Sequence, residues 1–227
     1  MTYLACPLLL ICVGLPAFPA GAEQALAQPE LAEETEAEDS QDAARKFTVD
    51  GTTLIYDTET DAALEISNGD VDALRDLLRD NDGITTLRLN SGGGSVWAAK
   101  EMARIAIDFE LDTEVDGECS SSCVRIFLGG DRRSMLRGSK IGFHSRSWSA
   151  GAVERYYDKW HEDEGWDTPF EFASWIYRDT WAEAYEDLTW SISRGVKAEF
   201  AVEMHAPRDT MWFPPRAALH DGGILRE

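Results

Sequence analysis

Three short segments carry the residue types that could break an acyl bond. Asn90-Ser91-Gly92-Gly93-Gly94 comes first, Cys119-Ser120-Ser121-Ser122-Cys123 second, and Ile141-Gly142-Phe143-His144-Ser145 third. A serine hydroxyl is too weakly acidic to attack a carbonyl unaided, so it needs a positioned base. An imidazole titrates near neutral pH and can be that base. Glycines let a backbone turn sharply and aim N–H groups at a developing negative charge. Hydroxyl, imidazole and N–H trap are together the parts of a serine hydrolase.

Regular elements must bring these segments together. Ile84 to Leu89 reads as a strand, with Ile84, Leu87 and Leu89 as apolar bulk and two threonines favouring extension. Val96 to Ile107 reads as a helix, Leu111 to Val115 as a strand, Ser122 to Leu128 as a helix, and the run around Lys140 to Phe143 as a strand. Upstream, Lys46 to Tyr56 has the pattern of a hairpin around Asp50-Gly51. Asp70 to Arg79 spaces Val71, Leu74, Leu77 and Leu78 as a helix, which Asn81-Asp82-Gly83 ends. Alternating strands and helices predict an α/β fold, a parallel sheet flanked by helices with right-handed crossovers. Such sheets gather chemistry at the carboxyl ends of their strands. Gly92, Ser121 and His144 each fall just beyond such an end.

The segments Leu89 to Val96, Gly117 to Cys123 and Ile141 to His144, with Phe127-Leu128-Gly129-Gly130-Asp131-Arg132-Arg133 between them, resemble the proteolytic subunit of Clp protease and its relatives. That group shares its fold with the crotonase and signal-peptide-peptidase families. The likeness covers residues 54–145 well and the C-terminal part weakly. The Cys-x-Ser-x-Cys variant is most similar to an exported branch of the group. The resemblance implies a Clp/crotonase-like fold, a peptide or protein substrate and a homo-oligomer. It implies Ser121 as nucleophile, with Ser120 and Ser122 as competitors whose other role is to cap the following helix. His144 is the implied base, a structural histidine at a strand end being the alternative. The oxyanion hole would be the N–H groups of Gly93 and Ser122, with Gly92 replacing Gly93 if the turn shifts by one. A proline usually occupies the place of Gly92, and glycine there loosens the turn. The third catalytic member is expected near Arg208-Asp209-Thr210-Met211-Trp212. Asp209 is the nearest acid, although a strict register falls on Thr210 and Asp209 could equally cap a short turn.

Composition bounds the rest. Met1 to Ala22 is uncharged, holds the apolar stretch Leu8 to Leu15 and ends Ala20-Gly21-Ala22, as a cleaved export signal does. No lysine or arginine precedes the apolar stretch, and a retained anchor is the alternative. Residues 23–44 read as an acidic tether: Glu23 to Asp42 holds eight acidic residues and no basic one. Residues 45–147 form the core, and 148–227 a helical extension and C-terminal part of the same domain. A net charge of -21 argues against nucleic acid or anionic lipid as partner. With the signal removed, Cys119 and Cys123 remain. On one helix face their Cα atoms would lie about 6 Å apart, within reach of a disulfide that would pin the helix beside the nucleophile. Two buried free thiols are the alternative. Further metal ligands at suitable spacing are lacking, so no zinc site is expected. The chain has neither phosphate loop nor dinucleotide fingerprint, so no cofactor is expected, and because an exported relative would lack ATP no ATPase partner is expected either.

Ala150 to Ser193 reads as mostly helical and rich in tryptophan: Trp160, Trp166, Trp175, Trp181 and Trp190, with Trp148 just before. Thr168-Pro169 marks a helix start. These rings serve either core and subunit packing or a wall for an extended peptide. His161, His205 and His220 read as non-ligating residues. Taken together, the sequence favours a periplasmic or secreted serine peptidase acting without ATP on small or unfolded peptides. The competing reading is a non-catalytic binding or assembly module that kept the fold. Acyl-CoA chemistry is disfavoured, because export separates the chain from CoA esters.

Overall fold

The computed structural model describes residues 42–61, 64–145 and 148–227. The export signal lies outside them, as does the acidic tether except for 42–44, which belong to a helical turn over 42–46 (α1). Strand β1 (Phe47–Asp50) turns at Gly51 into β2 (Thr53–Asp57), an antiparallel hairpin with Phe47 opposite Tyr56. Helix α2 (Gly69–Asp80) leads to β3 (Thr86–Ser91), and α3 (Val96–Asp108) leads to β4 (Asp112–Ser120). Both crossovers return the chain parallel, pairing β2 with β3 and β3 with β4. After α4 (Cys123–Leu128), the short β5 (Arg133–Met135) and then β6 (Lys140–Gly142) lie parallel to successive parts of β4. The result is a six-stranded mixed sheet with flanking helices. Beyond it follow α5 (Ala150–Glu164), α6 (Pro169–Ser193), α7 (Ala198–Met204) and α8 (Arg216–Asp221).

Side-chain alternation explains the layering. Leu54 and Tyr56 of β2 and Leu87 and Leu89 of β3 are buried, while the residues between them are half-covered. Ala98, Ala99 and Met102 of α3 and Val124, Ile126 and Phe127 of α4 pack into the same core. So do Val196, Ala201, Leu219, Ile224 and Leu225 from the C-terminal part. Two strand boundaries differ from the sequence reading. β3 starts and ends two residues later than expected: Ile84 N–H still closes a turn on Asn81 O, and Thr85 bonds Thr52 and Asp112 just ahead of the ladder. β4 runs on from Val115 to Ser120 across a register shift. Gly117 makes this possible: its φ is +112°, and a Cβ there would collide with the Asn90 amide, whose oxygen accepts the Glu118 N–H.

Lys46 and Asp70 form a buried ion pair. The Lys46 ammonium lies 2.9 Å from Asp70 Oδ1 and also donates to Glu65 O (2.7 Å) and Ser67 Oγ (2.9 Å). Tyr56 donates to Asp70 Oδ2 at 2.5 Å. Burial, reinforced by that carboxylate, drives the Tyr56 phenol far above its ordinary pKa. The network ties the hairpin to the start of α2.

In the helical extension, Gly165 ends α5 in the left-handed conformation, and Thr168, Pro169 and Glu171 form a capping box at the start of α6. Tyr156, Trp166, Phe172 and Trp175 pack ring against ring between the two helices. Trp148 and Trp181 stay exposed. The tryptophans of this region are therefore divided among an interhelical cluster, the edge of the core at Trp190, and open surface. Among the described residues no helix is long and apolar enough to cross a membrane.

Candidate active site

β4 and β6 are neighbours in a parallel pair, so both chains leave the sheet at the same edge, Ser120 beside Gly142. Ser121 extends that ladder by one bond, its N–H donating to Gly142 O at 3.1 Å. Its backbone is in the left-handed region, φ +56°, which a side chain other than glycine seldom adopts. Holding it there costs about 1–3 kcal/mol, which the surroundings must supply. The sharp strand-to-helix turn thrusts the hydroxyl outward. Ser121 Oγ lies 2.7 Å from His144 Nε2.

The two competing serines point elsewhere. Ser120 is buried and donates to Glu118 Oε1 at 2.5 Å. Ser122 occupies the cap position of α4, yet its hydroxyl donates to Gly94 O (3.1 Å) instead of accepting from the helix. Lys140 Nζ reaches the other oxygen of Glu118 at 2.6 Å, a further tie between β4 and β6 beside the serine. Burial raises the Glu118 pKa, but the bonds from Lys140 and Ser120 outweigh it and hold the carboxyl below its ordinary range.

His144 follows β6 by two residues. Phe143, between them, is clamped by two backbone bonds to Trp212, N–H to O at 2.9 Å and 2.8 Å. His144 Nδ1 lies 2.9 Å from Ser145 O, an acceptor only. The bond therefore places the proton on Nδ1 and leaves the Nε2 lone pair facing Ser121. Here the expectation for Asp209 needs correcting. Asp209 is exposed in the loop after α7, and among the described residues no carboxylate hydrogen-bonds His144. The Trp212 clamp fixes where the chain passes His144, but the backbone carbonyl of Ser145 takes the orienting place.

The glycine turn after β3 lies directly against the serine. Gly93 has φ +116°, and a Cβ there would stand 2.8 Å from Ser121 Cβ. Its N–H donates to Ser91 Oγ at 3.2 Å, and Ser91 in turn accepts from Thr58 at 2.9 Å. The expected oxyanion donor thus has a partner within its own turn. Gly92, the substitute, donates to Glu59 Oε1 at 2.8 Å. Ser122 N–H, the other expected donor, stands at the start of α4, where first-turn N–H groups have no acceptor in the helix.

The disulfide joins Cys119 and Cys123, Cα atoms 5.3 Å apart, but not along one helix face. Cys119 is the last strand residue but one and Cys123 begins the helix, so the bridge spans the turn that carries Ser121. The spacing of four residues fits both geometries, which is why the sequence pointed to the right pair by the wrong route.

A cavity of about 110 Å³ opens beside Ser121 and His144, bounded by Val96, Leu128, Phe143, Trp190 and Met204. Charged residues close one side, a feature the sequence reading missed. Lys100 of α3 lies 3.0 Å from both Glu183 oxygens and pairs with Glu186. Arg125 of α4 pairs with Glu186 (2.8 Å) and Asp187 (3.1 Å) and lies 3.7 Å over the Trp190 ring. Together they strap α6 across the cleft. Burial works against charge on Lys100 and Glu186, but their mutual bonds outweigh it, raising the Lys100 pKa and lowering that of Glu186. A run of acids at i, i+3 and i+4 on α6 was visible in the sequence, but not what it would meet. Among the described residues no group of His, Cys, Asp and Glu is placed to hold a metal ion.

No protein-family model matches the chain, and no curated protein sequence does. Among solved structures it is similar to a mutant ClpP1 from Listeria monocytogenes, at 17% identity and a TM-score of 0.47, over 86% of this chain and 93% of that one.

Proposed function

We propose that this chain is an exported serine hydrolase of the Clp-like kind that cleaves small or unfolded peptides without ATP. The observation that carries the reading is the 2.7 Å contact between Ser121 Oγ and a base-competent His144 Nε2, on a turn held in the left-handed region. In the reaction Ser121 Oγ attacks the peptide carbonyl carbon while its proton passes to His144 Nε2. The tetrahedral oxyanion forms near Ser122 N–H and the glycine turn. Its collapse breaks the C–N bond, and the amine leaves with the proton from Nε2. Water, deprotonated by His144, then releases the acyl group and restores the serine.

Ser145 O fixes the imidazole tautomer but adds no full negative charge to stabilise the imidazolium. Turnover should therefore be slower than with a carboxylate in that place. The strand-to-helix disulfide supports an oxidising compartment. The Asp-free histidine and the engaged Gly93 N–H favour the second reading, a binding or assembly module that kept the fold. A fluorophosphonate probe separates the two. Labelling of the wild type that is lost in both Ser121→Ala and His144→Ala supports the hydrolase. Absence of labelling in the folded, oxidised protein favours the module.

A further inference from the structure

We propose that Glu59 is a positioning residue for the reaction at Ser121: its carboxylate backs the glycine turn from the side of the sheet opposite the nucleophile. This role rests on the hydrolase reading of Ser121 and His144.

Strand order sets up the arrangement. β3 lies between β2 and β4. The chain leaving β4 brings Ser121 to one side of the turn over 92–94, and the chain leaving β2 reaches its other side. There Asp57, Thr58 and Glu59 engage Asn90, Ser91 and Gly92 one for one. Asp57 Oδ1 accepts from Asn90 Nδ2 at 3.1 Å, and Thr58 Oγ1 donates to Ser91 Oγ at 2.9 Å. Glu59 Oε1 accepts from the Gly92 N–H at 2.8 Å. The Glu59 N–H donates to Asp57 Oδ1 at 2.8 Å, which folds the clasp back on itself.

Within the clasp Glu59 alone acts on the turn without also holding the sheet. Thr58 and Ser91 are buried, and the Asn90 side chain is tied to β4 through the Glu118 N–H as well as to Asp57. Glu59 is exposed, and its bond is the last on this side before the chain turns toward Ser121. Gly93 and Gly94 follow with φ of +116° and +142°, and three glycines in a row give the turn little stiffness of its own. A charged acceptor on the Gly92 N–H fixes the peptide plane by which the chain enters the turn. Gly93 has no slack against the serine, since a Cβ there would stand 2.8 Å from Ser121 Cβ, so a tilt of that plane is felt at the nucleophile.

The carboxylate also brings a negative charge toward a site where an oxyanion develops, which opposes the reaction. Geometry and charge thus act in opposite directions, and substitution separates them. Glutamine keeps an acceptor oxygen of the same reach without the charge, whereas alanine removes both.

The test is fluorophosphonate labelling of Ser121 in the oxidised full chain over a range of probe concentrations, which splits the limiting rate from probe affinity. Urea unfolding and hydrogen exchange of the segment 90–95 are followed on the same samples. Glu59→Ala should lower the limiting rate roughly 3- to 10-fold, the worth of one exposed hydrogen bond, and speed exchange of 90–95 while barely moving the urea midpoint. Glu59→Gln should recover most of the lost rate. Gly92→Pro removes the donor, and the φ of Gly92 lies outside the left-handed range that would bar proline. In that background Glu59→Ala should change the rate by less than about 1.5-fold. If Gly92→Pro fails to fold, the alanine and glutamine variants decide. A Glu59→Ala that labels as fast as wild type, a Glu59→Gln as slow as Glu59→Ala, or an undiminished alanine effect beside Gly92→Pro would each overturn the proposal. A wild type that never labels ends the hydrolase reading instead. Faster exchange of 90–95 in Glu59→Ala then still marks Glu59 as the hold on the turn, and unchanged exchange overturns that too.

Discussion

Removing the bridge across the nucleophile turn, in Cys119→Ala/Cys123→Ala, tests whether the fold holds Ser121 in its strained backbone. The closed loop is short, with a separation of four residues, so its contribution through the unfolded chain is about 2 kcal/mol. Ser121 at φ +56° stores about 1–3 kcal/mol, of the same size. Without the bridge the turn can relax by up to that amount. The productive conformer should then fall roughly 5- to 160-fold in population, since each 1.36 kcal/mol is a factor of ten. The assay is the rate of fluorophosphonate labelling beside urea unfolding of the same samples. We expect the urea midpoint to drop by the equivalent of about 2–4 kcal/mol, because both sulfurs are also buried. Labelling should slow by the stated factor under conditions where the variant is fully folded. A variant that loses stability but labels at the wild-type rate would refute the idea that the bridge holds the turn. Bonds such as Ser121 N–H to Gly142 O would then suffice.

Two further outcomes follow from the charged groups. Lys46→Met leaves the Asp70 carboxylate buried without its cation and should cost about 3–5 kcal/mol in urea unfolding, whereas a loss under about 1 kcal/mol would mean that Tyr56 and Ser67 suffice. Glu186 and Glu118 have carboxyls held below their unfolded values, so the stability they add is present above the unfolded pKa and lost as pH falls through the folded one. Unfolding midpoints from pH 7 down to about pH 3 should therefore fall less steeply in Glu186→Gln, and the gap to wild type should close in acid; a gap independent of pH would sink the strap as described.

Local patterning was enough for much of the architecture. Asp50-Gly51 between alternating residues could only be a hairpin, and Val71, Leu74 and Leu78 recur at the helical period because one face of α2 is buried. The glycine turn between β3 and α3 was legible for the same reason: short-range sterics dictate it. Strand ends were less so, because β4 continues past Val115 only through the bulge at Gly117, whose space is set by Asn90 on a neighbouring strand. The motifs brought Ser121 and His144 forward. Which of three adjacent serines faces the imidazole depended on the backbone angle at Ser121, on the Glu118 carboxylate that engages Ser120 and on the distant Gly94 carbonyl that engages Ser122.

Sequence periodicity reports the residue's neighbours along its own element, and there it was informative. It carries no record of which side chain of a distant segment arrives opposite. Hence the placement of Asp209 away from His144 and the strap from Lys100 and Arg125 to α6 emerged only from the assembled sheet. The aromatic residues of α6 show the same division. Their spacing is written in the chain, but whether Trp175 or Trp181 faces inward was decided by how α5 packs against the helix.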